Sequence, residues 1–537
     1  MRISMAVKRG AGPGRRALGL MILAAALAAG PALAAGPALA AGPAFAAALS
    51  PKVELDRKVV LLGEKRPVYV LVAFEAPEAE AKPAAERPRV NLALVLDRSG
   101  SMAARGKIGY ARTAAKVVVD MLTPRDRLAV VEYDDRVTVL WPSSPVEAPE
   151  MLKRQIDGLT PRGATDLTGG LMKGVEEVLK NIDSRSINRV LLMSDGLANR
   201  GITRPSMIRQ LVRQARRRGV SISTAGLGLQ YNEDLMQAIA ESGGANYYYI
   251  ENPARMSRIF RHEMSTLYAT VGKDAKLVFS RGFGVEKVSV FGYPYKSEEG
   301  RTVVPLENFY AGEKRSVVLR LEIKPESPGE LRLGRLEFSY LDTKDNRPRT
   351  QAVELKVMVS ADPEITLASL NKKVRAQALL AEADERHTEV VRLFEKGKRK
   401  EARAAAAALA KRIERQNKGL KSLGLAKKVE ELRMEGRQMS AAAASPMGRA
   451  RFLKGAKQRL YYARRGKRGK SMLKEGDRGL EVERLQEALR TRGIYKGKAD
   501  GRFTAKLTLA VREFQRRRKI SVDGVAGPLT LRALGLY

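Results

Sequence analysis

Two carboxylates and three hydroxyls recur in this chain at spacings that make an all-oxygen donor set. Asp97-Arg98-Ser99-Gly100-Ser101 supplies one carboxylate and two hydroxyls, Gly163-Ala164-Thr165-Asp166 a third hydroxyl, and Ser194-Asp195-Gly196 the second carboxylate. Hard oxygen donors suit Mg²⁺, with Mn²⁺ or Ca²⁺ as alternatives, and suit zinc poorly. The flanking residues explain how such a set is positioned. Leu92-Ala93-Leu94-Val95-Leu96 is an apolar run that reads as a strand buried on both faces, as in parallel sheets, and Val190-Leu191-Leu192-Met193 is a second. Thr165 precedes an amphipathic stretch marked by Leu167, Leu171, Val175 and Val178. Open α/β sheets hold ligands at the carboxyl edge of their strands, so three such loops converge on one octahedral cation.

The ordered set resembles the metal-ion-dependent adhesion site of von Willebrand factor A (VWA) domains. The resemblance covers about residues 89 to 268 and takes in Asp126-Arg127-Leu128-Ala129-Val130-Val131-Glu132-Tyr133 and the late strand from Val220 to Gly228. It implies a Rossmann-like doubly wound sheet. It also implies that Asp97, Ser99, Ser101 and Thr165 bind the metal directly or through water, with Asp195 acting mostly through water. One directly bound carboxylate leaves the cation under-neutralised, so an acidic ligand group is expected to complete its shell.

With 537 residues the chain should hold several domains, since single cores rarely grow beyond about 250 residues. Cysteine is absent, which excludes disulfides, thiolate metal sites and a cysteine nucleophile. The two histidines, His262 and His387, have no ligand-spaced partner. Lys8, Arg9, Arg15 and Arg16 precede a short apolar core from Ala17 to Ala29, the form of a secretory signal, with cleavage expected after Ala46. No later segment is apolar enough to span a bilayer, so the mature chain is expected in the periplasm or cell wall, without a transmembrane span. The formal charge of +39 favours anionic partners. Export sets nucleic acid aside and leaves peptidoglycan, anionic glycopolymers and lipid head groups.

The expected organisation is multidomain, α/β plus β plus α. After the signal (1–46), residues 47–88 carry strands, as in Val59-Val60-Leu61-Leu62 and Val68-Tyr69-Val70-Leu71-Val72, that cannot bury a face alone. They are expected to join a small β-sandwich over 269–362, leaving the VWA domain (89–268) as an insertion. A helical hairpin or bundle should follow over 363–438 and a flexible basic linker over 439–470. Residues 471–537 close the chain with two Asp-Gly turns, Asp500-Gly501-Arg502-Phe503 and Asp523-Gly524-Val525-Ala526, each before an amphipathic helix. This segment resembles the three-helix peptidoglycan-binding domain of bacterial wall enzymes. The resemblance puts the candidate wall contacts at Asp500, Gly501, Phe503, Gln515, Asp523 and Gly524. The family's first turn usually reads Asp-Gly-x-Phe-Gly-x-x-Thr, whereas Thr504 and Leu507 stand at its last glycine and its threonine.

These features together predict an exported envelope protein that binds without catalysing, with no catalytic residue. A divalent-metal site would engage a protein ligand and the C-terminal domain would anchor to peptidoglycan. Two alternatives are a peptidoglycan hydrolase and an assembly factor for a partner enzyme.

Overall fold

The computed structural model describes residues 49–77, 87–464 and 473–536, apart from 478, 519, 521, 527 and 535. The expected signal segment and its cleavage site lie outside the described residues. Three strands open the described chain: β1 (Pro51–Leu55), β2 (Val59–Leu61) and β3 (Val68–Glu75). Then come β4 (Arg89–Asp97), a 3₁₀ turn (Gly100–Gly106), α1 (Lys107–Met121), β5 (Arg127–Tyr133), β6 (Val137–Pro145), α2 (Pro149–Asp157) and α3 (Leu167–Leu179). The unit is completed by β7 (Ser186–Ser194), α4 (Pro205–Arg217), β8 (Ser221–Leu227), α5 (Glu233–Gly243), β9 (Gly244–Ile250) and α6 (Met256–Tyr268).

Strand alternation in β4 accounts for the two-sided core of this unit. Leu92, Leu94 and Leu96 pack with α1, α2 and α6, while Ala93 and Val95 face α3, α4 and α5. The sheet runs β6-β5-β4-β7-β8-β9, parallel except for β6. Gly174 lets α3 sit close on the sheet, because a Cβ there would meet Val95 Cγ2 at 2.3 Å. The chain reverses its winding direction between β4 and its neighbour β7. Such a switch point opens a crevice at the carboxyl ends of both strands.

The strands that could not bury a face alone find partners far along the chain. Seven further strands follow: β10 (Thr270–Arg281), β11 (Val285–Phe291), β12 (Lys296–Glu298), β13 (Arg301–Tyr310), β14 (Lys314–Ile323), β15 (Gly329–Asp342) and β16 (Pro348–Ser360). One sheet has the order β1-β3-β14-β11 and the other β12-β13-β10-β15-β16-β2. Their facing sides share one core, in which Phe74 packs on Phe309 and Phe338 at centroid distances of 5.2 and 4.8 Å. The doubly wound unit is therefore inserted between β3 and β10 of a β-sandwich, as the strand pattern predicts.

Helices α7 (Pro363–Ala368), α8 (Lys372–Glu395), α9 (Arg399–Leu420), α10 (Leu423–Ala442) and α11 (Pro446–Arg464) come next. Asn371 caps α8 by accepting a hydrogen bond from the Val374 N–H, and Val374 and Ala378 seat the helix on Tyr69 and Phe291 of the sandwich. Small buried residues on α9 (Ala402, Ala406, Ala410) permit close helix packing. The expected flexible linker over 439–470 is corrected by α11. Leu453, Ala456 and Leu460 are buried at helical spacing, and Tyr461 enters the core of the inserted unit. The basic side chains in this stretch are paired: Lys454 Nζ donates to Glu233 Oε2 (2.6 Å) and the Tyr231 carbonyl (2.9 Å), and Lys457 Nζ to Asp234 and Glu395. Charge density suggested a solvated run, but acids at the start of α5 neutralise it.

The C-terminal helices α12 (Leu480–Thr491), α13 (Ala505–Arg517) and α14 (Pro528–Ala533) enclose Val482, Leu485, Leu489, Phe503, Val511 and Phe514. Leu507 joins this core, fully buried. Among the described residues no helix is long and apolar enough to cross a membrane.

Candidate metal centre

Asp97 ends β4 and is fully buried. Its Oδ1 accepts the Ser99 N–H (2.8 Å) and its Oδ2 accepts the Ser194 hydroxyl (2.7 Å). Burial pushes the Asp97 carboxyl up to about 6, against those hydrogen bonds, and the nearby Asp195 adds to the rise. The Ser99 and Ser101 hydroxyls lie 3.2 Å apart, and Ser101 Oγ donates to Asp195 Oδ1 at 2.6 Å. Thr165 completes the group from the third loop. A Cβ on Gly196 would sit 3.4 Å from Thr165 Oγ1 and 3.6 Å from Ser101 Oγ, so the missing side chain leaves the hydroxyls uncovered there. All five residues expected from the sequence thus lie around one point at the sheet's switch crevice.

Backbone hydrogen bonds lock the three loops together. Gly100 N–H donates to the Gly163 carbonyl (3.1 Å) and Arg162 N–H to the Arg98 carbonyl (2.8 Å). Asn199 Oδ1 accepts the Thr165 N–H (2.8 Å), while the N–H groups of Asn199 and Arg200 donate to the Thr165 carbonyl. Asp134, also buried, accepts Nε donors from Arg98 (2.8 Å) and Arg162 (2.7 Å). Burial would raise its carboxyl, but these guanidiniums hold it below the usual range.

Two members were not legible in the sequence. Ser194 orients the Asp97 carboxylate, and Lys107, at the start of α1 and nearly buried, pairs its ammonium with Asp195 Oδ2. Ser194 adjoins a predicted donor, which is a signal of sorts; nothing in the spacing of Lys107 announces its partner. The charge ledger of the cluster is two carboxylates against one ammonium. An all-oxygen set of two carboxylates and three hydroxyls fits a hard divalent cation. Among the described residues no group of three or more His, Asp or Glu forms a separate metal cage.

The C-terminal candidates have a different geometry. Gln515 is buried and clamps the second Asp-Gly turn: its Nε2 donates to Asp523 Oδ1 (2.7 Å) and the Val525 carbonyl (2.9 Å), and its Oε1 accepts the Gly524 N–H (2.9 Å). Gln486 does the same at the first turn, with Asp500 Oδ1 (2.8 Å), the Arg502 carbonyl (3.0 Å) and the Gly501 N–H (2.8 Å). Gly501 and Gly524 take φ of 72° and 77°, which glycine adopts without strain. Phe503 is in the core. The six candidates are therefore brought together as two related turn clamps with one core aromatic, and Gln486 is the missing counterpart of Gln515.

A doubly wound sheet with a hydroxyl–carboxylate cluster at its switch point defines a class, and the comparisons agree with it. Residues 91–262 match the model of the von Willebrand factor type A domain, and residues 478–534 that of a peptidoglycan binding domain. The chain thus carries a VWA domain and a C-terminal peptidoglycan-binding domain, both typically non-catalytic binding modules. It is 33% identical over 199 residues to YfbK of Escherichia coli (strain K12), a match covering 37% of this chain and about a third (35%) of that protein. It is 25% identical over 336 residues to sll0103 of Synechocystis, covering 59% of this chain and 78% of that one. The solved VWA protein from Catenulispora acidiphila shares the fold with a TM-score of 0.60 at 17% identity, over 78% of this chain and 98% of its own. That likeness reaches well past the VWA domain alone.

Proposed function

We propose that this protein is an exported envelope binder that carries a divalent cation, Mg²⁺ first, at Asp97, Ser99, Ser101, Thr165 and Asp195. When bound, the cation would supply a positive centre able to accept a carboxylate from a protein ligand. The observation that carries this reading is the convergence of five oxygen donors from three loops on a crevice left open by Gly196. The residues around it do the rest. Ser194 and the Ser99 N–H aim the Asp97 carboxylate, and Lys107 neutralises Asp195, so the site keeps a single uncompensated negative charge. A divalent cation there retains net positive charge, which favours an anionic ligand group.

The C-terminal domain supports a tether to peptidoglycan, and the basic, apolar N-terminal segment supports export. Equilibrium dialysis of the full chain against MgCl₂ tests the metal reading: saturable binding at one site is expected, and no Mg²⁺ retained above the buffer level refutes it. Sedimentation with purified cell walls tests the tether. Binding should survive in part at 1 M salt, where the Debye length falls to about 3 Å. Complete loss there would reduce the module to a basic patch.

A further inference from the structure

An open groove of about 460 Å³ runs between α9 and α10, and its lining holds four cationic side chains and no carboxylate. Lys400 and Arg403 stand on α9 with Ala404 and Ala407, at the i, i+3, i+4 and i+7 spacing that puts all four on one face. Arg433 and Arg437, at i and i+4, form the facing wall on α10, with Gly436 beside them. Lys400, Arg403 and Arg437 are exposed and in no ion pair among the described residues, while Arg433 is held by Glu414 at 2.7 Å. The nearby acids are spent elsewhere: Glu401 on Lys398 (3.1 Å), Glu431 on Lys428 (3.0 Å) and Glu435 on Arg459. Gly436 is not required by the packing. It lies inside α10, where glycine is disfavoured relative to alanine, and a Cβ there would meet no atom within 4 Å. What its missing side chain does is keep the groove open. No aromatic side chain lines the groove, so nucleic-acid bases would find nothing to stack on.

We propose that the α9–α10 groove holds a stretch of a phosphodiester-linked anionic polymer of the envelope, as a contact separate from the metal centre and from the C-terminal domain. The envelope as the source rests on the export reading above; the chemistry of the groove does not. A guanidinium fork matches the oxygens of a phosphate or a carboxylate in parallel hydrogen bonds. A planar carboxylate is used up by one fork, whereas a tetrahedral phosphate presents oxygens to two facing walls at once. The small side chains of Ala404, Ala407 and Gly436 let the polymer backbone lie against the helices between those walls. The formal charge of +39 draws such a polymer to the chain, and the groove gives it a seat.

The test uses the full chain and a short fluorescent oligomer of glycerol phosphate, with a hyaluronate oligosaccharide and oligothymidylate as references. The glycerol phosphate oligomer should bind saturably and more tightly than either reference. Arg403→Glu/Arg437→Glu should weaken it about tenfold, the equivalent of one charged hydrogen bond. Gly436→Leu keeps every charge and improves helix propensity, so it should weaken binding by filling the groove without lowering the melting temperature. Arg213→Glu/Arg217→Glu on α4 removes the same charge from another surface and should leave binding intact. If the α4 variant loses as much as the groove variant, or if Gly436→Leu binds like the parent, attraction is general basicity and the proposal falls. Equal binding of hyaluronate would overturn the phosphodiester class, and tighter binding of oligothymidylate would make the groove a nucleic-acid site instead. If the glycerol phosphate oligomer seats in the groove but the native protein is recovered from the cytosol, the envelope source falls and the groove chemistry stands. If an exported chain fails to bind the oligomer, only the groove falls.

Discussion

The VWA loops and the C-terminal turns both gather polar side chains at turns, yet they spend them differently. In the C-terminal domain each polar group is consumed internally: Gln486 and Gln515 each make the same hydrogen bonds to an Asp-Gly turn, and the aspartates answer them. In the VWA domain the carboxylates also have internal partners, but Gly196 leaves room beside Thr165 Oγ1 and Ser101 Oγ. Asp97 is buried with a carboxyl raised to about 6, and Asp195 is held by an ammonium. The first arrangement braces a fold, and the second is the one we propose as a metal site. Residue type and spacing alone do not separate the two; the room that Gly196 leaves beside two hydroxyls does.

The comparison can be broken by substitution. Phe514→Ala should cost about 3–5 kcal/mol in the C-terminal domain and abolish wall sedimentation through unfolding, read as loss of a melting transition. Lys107→Met should act almost as strongly, but only without metal. Removing one partner of a buried ion pair typically costs about 3–5 kcal/mol, so the melting temperature should fall in EDTA. Mg²⁺ should restore it, binding more tightly than to the parent chain because no ammonium competes for Asp195. Equal losses with and without Mg²⁺ would make Lys107 a purely structural residue.

A smaller effect should follow from Gln515→Leu. It leaves the Gly524 N–H and the Asp523 carboxylate without their partner, at about 1–3 kcal/mol, and destabilises the C-terminal domain with or without metal. A wall-contact role for Gln515 would instead lower sedimentation while leaving stability untouched.

pH sharpens the contrast further. The Asp97 carboxyl is raised in the folded metal-free chain above its ordinary value, so the unfolded state releases that proton first as pH rises. Metal-free stability from this group is therefore lost between about pH 4 and 6. Mg²⁺ needs the carboxylate, so its stabilising effect should be present above about pH 6 and fade as pH falls through it. Melting curves with Mg²⁺ and with EDTA across that range check the sign.

Much of this was legible in the residues. Apolar runs ending in Asp-x-Ser-x-Ser and Ser-Asp-Gly announced two strands and the polar loops at their ends, because a doubly buried strand must end at a sheet edge. The stranded helplessness of residues 51–75 announced distant partners, which β14 and β16 supply. Lys107, Gln486 and α11 stayed hidden for one physical reason. Each is defined by a partner elsewhere in the chain, 88 residues away for Lys107 (Asp195), 14 for Gln486 (Asp500) and 221 for Lys454 of α11 (Glu233), and a single charge or amide carries no record of its counterpart. In α11 the basic residues also masked the buried spacing of Leu453, Ala456 and Leu460.

The central claim is that Asp97 belongs to a poised metal site and not to a structural turn. Melting the full chain and its Asp97→Ala variant, each in EDTA and in saturating Mg²⁺, tests it most directly. The account predicts that Mg²⁺ stabilises the parent by about 2.7 kcal/mol at one hundred times its dissociation constant. It predicts no Mg²⁺ response in the variant, whose stability in EDTA stays close to the parent's because relief of a buried charge is offset, at about 1–3 kcal/mol, by the unpaired Ser99 N–H and Ser194 hydroxyl. A parent melting temperature indifferent to Mg²⁺, or a variant that unfolds in EDTA while the parent does not, would contradict it.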